Sequence, residues 1–135
     1  MSSLKQLKLE NKAAFHNQQL VSELNVLVHD VERCERTISD LSRELAAINS
    51  KHEGRKTTRE DIAYLTDLLE CAKKKLAFEK RLASLQKRTP PLLERMAAVG
   101  NDPSNPAGEV TRAEMLRAAQ TLQAAMARLL AANIR

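Results

Sequence analysis

The chain has 135 residues, a formal net charge of +5 and only 2% aromatic residues, with no tryptophan. That length holds one domain, and so few aromatics exclude a thick globular core. Apolar residues still make up 43% and charged residues 29%, a mixture that suits thin helical layers in which each helix buries one stripe.

Three of the four prolines and two of the three glycines fall between positions 91 and 108, so long uninterrupted helices are expected elsewhere. No stretch approaches the roughly 18–20 apolar residues of a membrane span. The opening "MSSLKQLKLENK" lacks the apolar run of a signal peptide. A soluble cytoplasmic protein without membrane insertion is the expectation.

The first helix is the clearest signal. Leu20, Leu24, Leu27, Val31, Cys34, Ile38, Leu41, Leu45 and Ile48 recur at alternating spacings of four and three, a heptad seam with charges between its positions. Asn17 and Ala13 take the equivalent places upstream, where the pattern fades. The spacing predicts a helix over about 4–50. "SKHEGRKTTRED" at 50–61 then supplies Gly54 as a stop, Thr57 or Thr58 as a cap, and Glu60 and Asp61 for the first turn of a second helix. So short a connection predicts an antiparallel hairpin.

In the second helix, Ile62, Leu65, Leu69, Ala72 and Leu76 make one stripe. Phe78, Leu82, Leu85, Leu92 and Met96 make another, out of phase with the first. The change near 76–78 predicts a bend or a change of facing partner. Pro90 and Pro91 lack N–H donors and disfavour helical geometry before them, so a kink or a separate segment over 91–99 is expected. "GNDPSNPAGE" at 100–109 is a loop by composition. A third helix over about 109–133 carries Met115, Ala119, Leu122, Met126 and Leu129. The expected fold is all-α: one elongated three-helix bundle with coiled-coil-like packing over residues 1–135.

Charge is concentrated in one place. Residues 72–95 hold Lys73, Lys74, Lys75, Lys80, Arg81, Lys87, Arg88 and Arg95 against Glu79 and Glu94, a net of +6. Such a run is commonly a solvated face whose stems cover apolar surface, yet on a narrow bundle it also makes a field that steers acidic partners. Nucleic acid is not the expected partner. The chain shows no helix-turn-helix spacing, zinc ligands or aromatic platform. A membrane surface would want more than Phe78.

Catalysis is not expected either. His16, His29 and His52 are far apart with no matching nucleophile, and pairs such as Asp30 with Glu32 or Glu60 with Asp61 read as helix-surface groups. Gly-rich phosphate loops and metal spacings are missing, so no cofactor or metal is expected. Cys34 and Cys71 read as reduced core thiols. What remains is a protein that binds another protein.

Three segments resemble tubulin-binding cofactor A, a family of small helical chaperones. "KQLKL" at 5–9 is similar to that family's basic–apolar opening. "EDIAYLTDLLECAKKKL" at 60–76 resembles the start of its second helix, and "GEVTRAEMLRAAQTLQ" at 108–123 its third. The chain departs from the pattern at Ala77, where a proline commonly follows the basic cluster. The resemblance implies a free-standing, monomeric, cytoskeleton-associated chaperone. Its client would be β-tubulin, captured stoichiometrically between the chaperonin and pairing with α-tubulin. On that reading Lys73, Lys74, Lys75, Lys80, Arg81, Lys87 and Arg88 form the contact surface. A second resemblance, of "ISDLSRELAAIN" at 38–49 and "YLTDLLECAKKKLAFEKRLASLQKR" at 64–88, is to snapin. It implies a coiled-coil subunit of a vesicle-trafficking or organelle-positioning complex.

Overall fold

A computed structural model describes residues 4–106 and 108–134. They form three helices, α1 (Leu4–Lys51), α2 (Thr58–Gly100) and α3 (Glu109–Ile134), each packed against the other two. The all-α three-helix bundle expected from the sequence is the fold, and the described bounds of the helices lie within one residue of those read from the spacing.

The α1–α2 turn forms as its residues direct. Gly54 takes a positive φ of 79°, a conformation a side chain would strain. Thr57 caps α2: its Oγ1 accepts from the Glu60 amide at 3.1 Å and donates to the Glu60 carboxylate at 3.0 Å. Glu60 and Asp61 then sit in the positive first turn.

The core seam of α1 runs through Leu20, Leu27, Val31 and Cys34, all buried, with Ile48 buried nearer the turn. Asn17 continues it, 5% exposed, with neither its Nδ2 nor its Oδ1 hydrogen-bonded among the described residues. Upstream of Asn17, α1 carries exposed Leu4, Leu7, Leu9 and Phe15. Helix α3 buries Met115, Leu122, Ala125, Met126 and Leu129.

In α2 the structure corrects the reading twice. First, of the two outcomes expected at Pro90 and Pro91, a kink or a separate segment, the separate segment does not form; both prolines lie inside one continuous element. Phe78, Leu82, Leu85, Thr89, Leu92, Met96 and Val99 are all buried, and their alternating spacing carries one seam straight through the prolines. Thr89 Oγ1 donates to the Leu85 carbonyl at 2.7 Å. The two carbonyls that lose amide donors belong to Gln86 and Lys87, at exposed positions, so packing on both sides outweighs the lost bonds.

Second, the stripe Ile62, Leu65, Leu69, Ala72 and Leu76 is not a core stripe. Its members are exposed, Leu65 at 62% and Ile62 at 59%. The inward face of this half is Tyr64, Leu68 and Cys71, which joins Phe78 at the same four–three spacing. The core seam therefore does not change phase. Two apolar stripes coexist, and only one is covered among the described residues.

Gly100, the last residue of α2, sets how closely α3 approaches. A Cβ built there would lie 2.4 Å from Leu116 Cγ and 3.2 Å from the Arg112 carbonyl. Gly100→Ala should therefore cost about 1–3 kcal/mol through overpacking. Leu116→Ala should restore much of that loss, because it removes the clashing branch. Thermal melts of the single and double variants check this. Additive losses would show that the clash is relieved elsewhere.

Candidate protein-binding surface

The basic residues of α2 separate into two rows, because positions seven apart share a face. Lys74, Arg81, Arg88 and Arg95 form the row nearest α1. Lys74 Nζ lies 2.8 Å from Glu44, Arg88 2.9 Å from Asp30, and Arg95 2.7 Å from Glu23. On the α1 side Lys51 meets Asp67 at 3.4 Å. Each partner pair is displaced by a whole number of heptads in opposite directions along the two helices, which is what an antiparallel register requires. The Glu44 hydrogen bond holds the Lys74 ammonium above its ordinary pKa. Exposed pairs of this kind contribute about 0–1 kcal/mol each, so their main effect is on register.

Lys73, Lys80 and Lys87 form the second row, and all three are exposed. Lys73 reaches back to Glu70 at 3.3 Å on its own helix. Lys80 and Lys87 make no ion pair among the described residues. The seven basic residues expected to form one surface are thus divided. Lys74 and Arg88 are engaged with α1, and Lys75 lines a cleft.

Three shallow clefts accompany these rows. One of about 520 Å³ lies between Glu23, Val26, Leu27, Lys87, Pro91 and Arg95. A second of about 220 Å³ is lined by Asp30, Arg33, Cys34, Arg81 and Arg88. Burial pushes the Cys34 thiol up, against the pull of Arg81. The third, about 580 Å³, opens beside the last described residues of α3. Ile38, Leu41 and Leu45 face Leu68, Ala72 and Phe78 across it, with Lys75 at its edge and Ala132 at its end.

The rotation of α2 that exposes its apolar stripe is set at the turn. Tyr64 donates from its hydroxyl to Asn49 Oδ1 at 2.7 Å, and the Arg55 guanidinium lies 3.9 Å over the Tyr64 ring. His52 Nε2 lies 2.6 Å from Asp67, whose carboxyl is held below its ordinary pKa chiefly by that hydrogen bond. These contacts turn Tyr64, Asp67 and Lys74 toward α1. Ile62, Leu65, Leu69 and Leu76 are left on the outside. His16 and His29 are exposed and distant from this cluster.

Sequence reasoning named the stripe and gave it the wrong side. The signal that finds it is the second, out-of-phase set at Tyr64, Leu68 and Cys71, which makes this half of α2 apolar on two faces. Among the described residues, no helix is long and apolar enough to cross a membrane. Comparison of the chain with protein-family models, curated proteins and solved structures finds no match.

Proposed function

We propose that this protein is a non-catalytic binding bundle that holds an acidic protein client stoichiometrically. The client is β-tubulin, kept between the chaperonin and its pairing with α-tubulin, which places the protein in the cytoplasm beside the cytoskeleton. The observation that supports the reading is the exposed row Lys73, Lys80 and Lys87 on a bundle whose core seam from Leu20 to Cys34 is closed by its own helices. The identity of the client rests on the resemblance of residues 5–9, 60–76 and 108–123 to tubulin-binding cofactor A.

Electrostatic steering depends on the sign of the whole face. Reversing Lys73, Lys80 and Lys87 to Glu should leave helical circular dichroism unchanged, because all three lie outside the core. Capture of β-tubulin should weaken at least about tenfold. Moderate salt should weaken wild-type capture in the same direction, since exposed charges are screened beyond roughly 8–10 Å. Wild-type capture by the folded variant, with no salt dependence in either protein, overturns the role of this row. Failure of the wild type to capture β-tubulin at low salt overturns the client.

One observation favours a second reading, a snapin-like subunit of a coiled-coil complex. The stripe from Ile62 to Leu76 is a second heptad seam that the described residues do not cover. Sedimentation separates the readings: a free-standing chaperone is monomeric at micromolar concentration, whereas a subunit of such a complex associates.

A further inference from the structure

We propose that Ile62, Leu65, Leu69, Ala72 and Leu76 form a docking seam for one amphipathic helix of a partner protein, a helix whose flanks carry glutamate or aspartate. The inference rests on the protein-binding reading above but not on the identity of the client.

Three features of the surface lead there. The four large members are between 54% and 62% exposed, although a contiguous apolar patch on a monomer commonly marks an interaction site. Their alternating three–four spacing is that of a helix partner. The stripe also continues into an apolar floor. Ala72 belongs both to it and to the cleft where Leu41 and Leu45 of α1 face Leu68 and Phe78 of α2. That cleft lies at the end of α3, with Ala132 and Asn133 at its border. Over this stretch the described residues of α3 leave the α1–α2 groove uncovered.

Charge selects the occupant. The stripe's outer edge is Arg59, Thr66, Lys73 and Lys80, with no acid; its inner edge carries Asp61, Leu68 and Lys75. Lys75 and Lys80 make no ion pair among the described residues. A second copy of the chain fits poorly. A parallel pair sets Lys75 beside the other copy's Lys80; antiparallel pairs set Arg59 beside Lys73 or Lys80, and in one of these registers Asp61 meeting Lys75 offsets part of the repulsion. Like charges at these positions disfavour pairing. A helix with acidic flanks meets Arg59, Lys73 and Lys80 on the outer edge and Lys75 on the inner one.

The probe is a fluorescent peptide of about three heptads with leucine at both seam positions and glutamate on both flanks. Its glutamates keep it from pairing with itself. A second peptide carries lysine in place of glutamate. With the full chain, anisotropy should show saturable one-to-one binding of the acidic peptide, weakened by salt, and at least about tenfold weaker binding of the basic one. Leu65→Gln with Leu69→Gln should reduce binding of the acidic peptide at least about tenfold. Its melting temperature should stay near wild type, because both side chains are exposed in the free protein. Absence of binding, equal binding of the two peptides, or undiminished binding by the double variant overturns the proposal. So does a wild-type dimer that the double variant abolishes, which assigns the seam to a second copy. Peptide binding without β-tubulin capture leaves the seam standing and removes only that client.

Discussion

Val31→Asp is expected to unfold the protein, whereas Leu45→Asp, two heptads further along the same sequence stripe, is expected to leave it folded. Val31 is 1% exposed and packed in the core between the three helices. An aspartate there must be buried without a partner or force the helices apart, a cost of several kcal/mol. Domains of this kind are stable by only about 5–15 kcal/mol. Leu45 is 44% exposed at the open cleft. Water reaches a carboxylate there, so the loss should stay below about 1 kcal/mol. Chemical denaturation of both variants by circular dichroism checks the contrast. Equal losses would mean that the cleft beside Leu45 is closed in solution and that the bundle keeps three helices along its full length.

Replacing both prolines of α2 by alanine should raise stability. A proline inside a helix is about 3 kcal/mol less favourable than alanine, because it removes an intrahelical bond and crowds the carbonyl four residues earlier. Here those carbonyls belong to Gln86 and Lys87. Pro90 and Pro91 are both exposed, so Pro90→Ala with Pro91→Ala forfeits little packing while restoring two donors. The stiffer unfolded chain that proline provides offsets part of the gain, by about 0.4–1 kcal/mol per site. A gain of at least about 2 kcal/mol is the expected result, read from the denaturation midpoint. A loss instead would show that the seam through Leu85, Thr89 and Leu92 depends on a local distortion the prolines impose.

Much of this molecule is decided within a few residues of each position, and so was legible in the sequence. The seam from Leu20 to Ile48 (apart from Leu45, which the cleft leaves exposed), the stop at Gly54, the cap at Thr57 and the stripe from Met115 to Leu129 all follow from helical period and end chemistry. The three helices appear with the described bounds the spacing implies, and the charge excess of residues 72–95 is a property of composition. The prolines show where such local rules lose. Judged alone they kink or interrupt a helix, yet the seam on either side of them buries enough apolar surface to carry the helix through.

The candidate surface was legible only in part. That residues 72–95 are basic can be counted. That Lys74 and Arg88 are taken up by Glu44 and Asp30 depends on the antiparallel register of two helices, and those partners lie 30 and 58 residues away in sequence. Which of two apolar stripes on the first half of α2 is buried was likewise beyond the sequence, since both have the period of a core face. The tertiary structure decides it through contacts at the turn, where Tyr64 and Asp67 engage Asn49, Lys51 and His52. Those contacts set the rotation of α2, and α3 as described ends beside the cleft without covering the other stripe. Helical period determines that a face is apolar. Only the rotation and reach of neighbouring helices determine whether that face becomes core or remains open to a partner.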